Sequence, residues 1–146
     1  AKALGQHLRE QRAYQDQPRE TGSIIIVVAT DAPLLPHQLK RLARRATLGL
    51  GRMGSYAGDG SGDIFVAFST ANKAVHGGAP FVNAEFLENG HMDPLFEATV
   101  QATEEAIVNA MIAARDLEGE GGHWAKALPQ PALVDLLKRY ANTRLN

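Results

Sequence analysis

A serine that directly follows a glycine opens an apolar, β-branched segment: Gly22-Ser23 precedes the run IIIVVAT. A serine hydroxyl in this position can attack the carbonyl carbon of the residue before it, because glycine has no side chain to obstruct the strained geometry. Hydrolysis of the resulting ester frees an α-amine on Ser23 beside its own hydroxyl. Such an amine titrates at about 7.7–8.0 in model peptides, so it can act as a base near neutral pH. The alternative is structural, with Gly22 as a turn residue and Ser23 as the first residue of a strand.

A second serine stands two residues before an acidic residue in Gly60-Ser61-Gly62-Asp63, ahead of a second apolar run. In extended backbone Ser61 and Asp63 project to the same side, with Cα atoms about 6.6 Å apart. A hydroxyl and a carboxylate at the mouth of a buried strand can relay a proton or orient a base. The alternative is a tight turn in which Asp63 holds loop amides.

Neither a metal nor an organic cofactor is expected from the remaining residues. The chain has no cysteine, which excludes disulfides, thiolate metal sites and a cysteine nucleophile. A G-x-G-x-x-G pattern at 49–54 follows a predicted helix rather than a strand, which is the wrong context for a dinucleotide site. Three histidines are scattered without ligand spacing and are interpreted as surface or loop residues: His76, His91 and His123.

Composition and charge give no reason to expect nucleic acid or a membrane as a partner. Of 146 residues, 45% are apolar and 21% are charged, and the formal net charge is -1, which is typical of a globular domain. The basic cluster within 40–45 has helical spacing opposite an apolar stripe and is interpreted as a solvated helix face. The longest purely apolar run, 24–29, is far shorter than the roughly 20 residues needed to cross a bilayer. We expect a cytoplasmic protein. A periplasmic location is the alternative, because the N-terminus of the precursor is not seen.

Hydrophobic periodicity predicts two strands and three helices. The strands, 23–30 and 63–70, are apolar on both faces, as is typical of strands in the middle of a layered structure. The glycine-rich stretch 49–62 is predicted to be a loop. Two strands are fewer than the three or more that an independent sheet usually needs, so we expect them to belong to a larger sheet. The helices are predicted over 36–50, 93–117 and 130–141.

Three segments resemble the small subunit of the L-aminopeptidase/D-esterase family, which includes D-aminopeptidases and β-peptidyl aminopeptidases. They are TGSIIIVVATDAPLLPHQLKRLARRA (21–46), GDGSGDIFVAFSTAN (58–72) and MDPLFEATVQATEEAIVNA (92–110). The resemblance implies an α/β fold: part of an α/β/β/α sandwich resembling N-terminal-nucleophile hydrolases, completed by a large subunit outside this chain. It implies that 1–22 is the tail of that large subunit or a linker ahead of the cleavage, and that 23–146 is the small subunit that bears the nucleophile.

The same resemblance implies a catalytic set. Autocleavage is expected at the Gly22–Ser23 bond, with Ser23 as the nucleophile toward amides and esters. Ser61 matches the second serine of the family, and Asp63 matches an acidic position that is glutamate in some members. The oxyanion-hole asparagine of the family belongs to the large subunit.

The function that follows is a self-processing serine aminopeptidase and amidase-esterase, which releases small N-terminal residues through a Ser23 acyl-enzyme. Its expected partners are the large subunit from the same precursor, a peptide or amino-acid amide or ester as substrate, and further copies in a homo-oligomer of paired subunits. One alternative is an acyl transferase resembling ornithine acetyltransferase, although that family has threonine at the junction. Another is a non-catalytic binding module, in which Gly58–Gly62 forms a simple binding turn.

Overall fold

Strands β1 (Ile25–Thr30) and β2 (Ile64–Ser69) pair in parallel, with Ile25 opposite Ile64 and Thr30 opposite Ser69. The computed structural model describes residues 22–73, 78 and 80–143. The predicted tail or linker, residues 1–22, therefore lies outside the described residues except for Gly22. The described residues fall into two units, 22–104 and 105–143. The first unit contains the pair of strands and both serines of interest.

Helix α1 (Pro36–Arg52) connects β1 to β2, because parallel neighbours need a crossover connection. Its first turn is fixed by Gln38, whose side-chain oxygen accepts a 2.9 Å hydrogen bond from the N–H of Leu35. The same amide side chain is almost fully buried and donates to the carbonyl of Leu87 at 2.7 Å. Gln38 thus joins the start of α1 to the segment that precedes the next helix, as a buried polar group with its hydrogen bonds satisfied.

Helix α2 (Asp93–Ala113) follows a short 3₁₀ turn, Asn89–His91. Its first half packs on α1 at close range: a Cβ added at Gly49 would lie 2.7 Å from both Thr103 Cβ and the Val100 carbonyl oxygen. The core formed here consists of four buried side chains from α1, α2 and the segments before them: Leu34, Leu42, Met92 and Phe96. Glycine at position 49 is therefore required by the approach of the two helices.

The basic cluster of α1 is not wholly a solvated face. Lys40 and Arg44 are exposed, as the spacing predicts, but Arg41 and Arg45 are only half-exposed. The guanidinium carbon of Arg45 lies 3.9 Å from the centroid of the Phe96 ring, and that of Arg41 lies 5.1 Å from it. The interpretation is wrong for these two arginines, because cation–π contact and packing of their stems hold them against the core.

The sheet has one covered and one open face within the described residues. Val28 and Ala67 pack against the core. The opposite face is apolar, and its five large side chains are between 45% and 69% exposed: Ile25, Val27, Ile64, Val66 and Phe68. The expectation that both faces are buried is therefore not met by the described residues of this unit alone, because α1 and the start of α2 pack on one face of the sheet.

The second unit continues α2 and ends it earlier than the sequence predicts, at Ala113 rather than at 117. Two-residue strands β3 (Leu117–Glu118) and β4 (Trp124–Ala125) pair antiparallel after it, around a 3₁₀ turn at Glu120–Gly122. Gly121 and Gly122 have φ values of 72° and 78°, a conformation that glycine adopts without strain. Helix α3 (Gln130–Thr143) follows. No described helix is long and apolar enough to span a bilayer.

Candidate active site

Both candidate serines stand at the same edge of the sheet. Ser23 comes two residues before β1 begins, and Ser61 and Asp63 come directly before β2. Because the strands are parallel and start in register, their amino-terminal ends meet at one edge. The fold therefore brings Ser23 next to Ser61 and Asp63, which lie about forty positions later in the sequence.

Side-chain hydrogen bonds tie the two strand starts together. The N–H of Ile24 donates to Asp63 Oδ1 at 2.9 Å, and the N–H of Gly62 donates to Ser23 Oγ at 2.8 Å. The N–H of Asp63 donates to Ser61 Oγ at 3.3 Å, which is a longer and weaker contact. These bonds are the reason that β1 begins at Ile25 rather than at Ser23, since side chains take the place of the first ladder bonds.

A cavity of about 230 Å³ opens beside these residues, and Ser23, Ser61 and Asp63 all line it. Ser23 is exposed, while Ser61 and Asp63 are half-buried. Leu50 at the end of α1 and Ala57 in the following loop supply apolar parts of the lining. An exposed hydroxyl at the wall of a concave site can reach an incoming carbonyl carbon, which is the first geometric requirement for a nucleophile.

The loop between α1 and β2 shapes one wall of this cavity. Ser61 closes a turn by donating its N–H to the carbonyl of Gly58 at 2.8 Å. Ala57 has a φ of 47°, an uncommon conformation for a residue with a side chain. The glycines of this segment predict a loop, but no pattern in the sequence identifies Leu50, Ser55 and Ala57 as lining residues. In the sequence, only their proximity to Ser61 indicates that these residues line the site, because small apolar and hydroxyl side chains occur throughout proteins.

The structural alternative for Asp63 is correct in part. Asp63 does hold a main-chain amide, but that amide belongs to Ile24, next to Ser23, rather than to the loop. Asp63 therefore holds the main chain directly after Ser23. The functional and the structural interpretations of Asp63 do not exclude each other.

A larger cavity, of about 540 Å³, lies elsewhere in the same unit, with Pro33, Phe86 and His91 among its lining residues. None of the three candidate residues lines it. His91 has Glu88 as an exposed neighbour, with 3.2 Å between Nδ1 and Oε2. Among the described residues, no group of three or more His, Asp and Glu side chains is arranged to hold a metal ion.

Solved structures show the fold. The chain superposes on the PH0078 protein of Pyrococcus horikoshii OT3 with a TM-score of 0.80 and 44% identity, covering 94% of this chain and 37% of that one. It superposes on the L-aminopeptidase D-Ala-esterase/amidase of Ochrobactrum anthropi with a TM-score of 0.76 and 46% identity, covering 90% and 37%. The latter is described as a new variant of the N-terminal-nucleophile hydrolase fold. The predicted α/β fold related to these hydrolases is confirmed.

The sequence relationship is equally direct. The chain is 54% identical over 120 residues to the β-peptidyl aminopeptidase BapA of Sphingosinicella microcystinivorans, covering 82% of this chain and 30% of that protein. The sequence model of peptidase family S58 matches residues 2–125, and the chain belongs to that family. The resemblance to this group of aminopeptidases is thereby confirmed. The chain spans about a third of the length of the curated relatives that it matches.

Proposed function

We propose that the chain is the nucleophile-bearing portion of a self-processing serine aminopeptidase, with Ser23 as its nucleophile. One observation carries the proposal: the exposed Ser23 hydroxyl lines a cavity together with Ser61 and Asp63. Family membership supports the reaction class, since the relatives that the chain matches are named as aminopeptidases. These relatives are much longer than this chain, which supports the proposal that the chain is one part of a larger protein.

Maturation begins with the bond between Gly22 and Ser23. Ser23 Oγ attacks the carbonyl carbon of Gly22, the C–N bond to Ser23 breaks, and the Ser23 nitrogen takes the hydroxyl proton. Water then hydrolyses the new ester, which leaves a carboxylate on Gly22 and restores the hydroxyl of Ser23. The product carries a free α-amine at Ser23, next to the nucleophilic oxygen.

Turnover repeats the chemistry on a substrate. Ser23 Oγ attacks the carbonyl carbon of an amide or ester, and its proton passes to the Ser23 amine or to the Ser61 and Asp63 pair. The leaving amine or alcohol departs with a proton, and water releases the acyl group from Ser23. The donors that stabilise the oxyanion are assigned to the large subunit, as the family resemblance implies. The preference for small N-terminal residues rests on the family resemblance.

The open face of the sheet supports the large subunit as partner. Five large apolar side chains there are exposed within this chain, among them Val27 and Val66 on adjacent strands. A second sheet packed on this face would complete a sandwich of the kind predicted, since stacked sheets bury such faces about 10 Å apart. The homo-oligomer of paired subunits and the cytoplasmic location remain predictions.

The two alternatives have less support. An acyl transferase resembling ornithine acetyltransferase would have threonine where this chain has Ser23. A non-catalytic binding module gives no reason for three chemically competent residues to line one cavity.

The test is the Ser23→Ala variant of the full-length protein. We expect intact mass measurement to show one uncut chain, and we expect no turnover of alanine or glycine p-nitroanilide. The wild-type protein should separate into two chains, the smaller beginning at Ser23. Thr47→Ala, which removes an exposed hydroxyl on α1, is the matched control and should process normally. Full activity of Ser23→Ala would refute the proposed function.

A further inference from the structure

The hydrogen bond from Gly62 departs from the ladder that the strands would otherwise form. Ile64 donates its N–H to the carbonyl of Ile24 at 2.9 Å. In a parallel ladder the evenly spaced bonds repeat every two residues on each strand. The next donor is therefore the N–H of Gly62, and its regular acceptor is the carbonyl of Gly22. The Gly62 N–H instead donates to Ser23 Oγ at 2.8 Å.

We propose that Gly62 is a positioning residue for the nucleophile, acting through its main-chain N–H. The N–H holds Ser23 Oγ at the cavity wall, and its diversion from the ladder leaves the Gly22 carbonyl available for attack. This inference rests on the proposed function, because it concerns the same Ser23 hydroxyl. It assigns a role to the residue between Ser61 and Asp63, whose side chain consists of a single hydrogen atom.

The space beside Ser23 points to the same role. A Cβ added at Gly62 would lie 3.3 Å from Ser23 Oγ and 3.8 Å from Ser23 Cβ, and it would meet no other atom within 4 Å. The backbone of Gly62 does not have the positive φ that excludes other residues. A methyl group here is thus tolerated by the backbone, and its contacts are confined to the nucleophile.

The bond also suits the chemistry of the first step. The Gly62 N–H occupies one lone pair of Ser23 Oγ, so the hydroxyl proton remains free to leave for the Ser23 nitrogen. While Oγ loses its proton and bonds to the Gly22 carbonyl carbon, it carries partial negative charge. Hydrogen bonds to a charged acceptor are roughly twice as strong as neutral ones. The Gly62 N–H is consequently worth more in the transition state than in the resting chain.

An amide-to-ester replacement at position 62 of the full-length protein tests the donor itself. Glycolic acid, inserted by nonsense suppression in cell-free synthesis, exchanges the N–H for an oxygen and adds no side-chain atom. We expect kcat on alanine p-nitroanilide to fall between about tenfold and a hundredfold, the scale of one hydrogen bond to a charged group. We expect KM to change by less than about twofold, because the bond serves the attack rather than substrate binding.

The Gly62→Ala variant tests the space and keeps the donor. We expect autocleavage, followed as the fraction of two-chain product over time, to slow by at least about tenfold because the methyl group displaces Oγ. Gly51→Ala is the matched control, since a Cβ added there meets nothing within 4 Å. It should process and turn over at the wild-type rate.

The outcomes separate this inference from the proposed function. A normal kcat after the ester replacement overturns the role of the Gly62 donor, even if the Gly62→Ala variant processes slowly. In that case an inactive Ser23→Ala variant still supports the proposed function. A rise in KM with unchanged kcat also overturns the inference. Activity retained by Ser23→Ala would remove the nucleophile and, with it, both proposals.

Discussion

The main-chain N–H of Ile24 donates a 2.9 Å hydrogen bond to Asp63 Oδ1, although 39 residues separate the two in the chain. Ile24 directly follows Ser23, so the Asp63 carboxylate fixes the backbone next to the proposed nucleophile. A carboxylate that accepts a main-chain N–H forms a charge-assisted bond, which is shorter and stronger than a neutral one. The start of β1 is therefore set by a side chain at the start of β2.

Removing this acceptor should impair catalysis more than removing its charge. We expect Asp63→Ala to lower the rates of processing and turnover by at least about tenfold, since the Ile24 N–H loses its acceptor. Asp63→Asn keeps an oxygen at the same position and should retain most of both rates. Measured kcat and the fraction of cleaved precursor distinguish the two variants. Equal loss in both would show that Asp63 acts through its charge as a base.

Helix packing at Gly49 should be intolerant of a methyl group. A Cβ there would lie 2.7 Å from Thr103 Cβ and from the Val100 carbonyl oxygen, and the carbonyl belongs to helix backbone that cannot move freely. We expect Gly49→Ala to lower the free energy of unfolding by about 1–3 kcal/mol, the usual cost of overpacking. Thermal unfolding of the full-length protein measures this. Gly51→Ala, in the same helix, should be neutral or slightly stabilising, and a similar loss in both would contradict the packing argument.

Substitution of the buried Gln38 amide should also destabilise the folded protein. Its side chain is 1% exposed and bonds to the N–H of Leu35, the carbonyl of Leu87 and Asn89 Oδ1. We expect Gln38→Leu to destabilise the protein by about 1–3 kcal/mol, because the half-buried Leu35 N–H and Leu87 carbonyl lose this hydrogen-bond partner. Asn89 is exposed and keeps Arg41 as a donor, so it adds little to the loss. Chemical denaturation provides the measurement, and the exposed neighbour His37→Ala is the control. A midpoint unchanged by Gln38→Leu would show that water replaces the amide.

A charge on the open sheet face should prevent assembly with the large subunit. Val66 lies in the middle of β2 and is 46% exposed within this chain. We expect Val66→Asp to abolish co-purification of the two subunits after processing, because an unpaired carboxylate would be buried between the sheets. Val66→Thr keeps the shape and should still assemble. Intact complexes of Val66→Asp in size-exclusion chromatography would place the large subunit on another surface.

Secondary structure followed from local patterns in most of the first unit. The predicted strands differ from the observed ones by at most two residues at either end, and α1 was predicted to within two residues. The end of α2 was placed four residues too late, because the apolar pattern continues through 117. Leu117 and Glu118 instead pair with Trp124 and Ala125, a contact between separate segments that local periodicity does not contain.

By itself, the sequence determined the chemistry that is available: a serine after a glycine, a second serine two residues before a carboxylate, and two apolar strands that follow them. Those are properties of neighbouring residues, and neighbouring residues are what a local pattern records. Only the tertiary structure decided which atoms meet, namely that Asp63 holds the Ile24 amide and that Gly62 holds Ser23 Oγ. These contacts depend on the register of two parallel strands joined by a long crossover. Register is specified by which face of the sheet is buried against the core, and that is decided by tertiary packing rather than within any short segment.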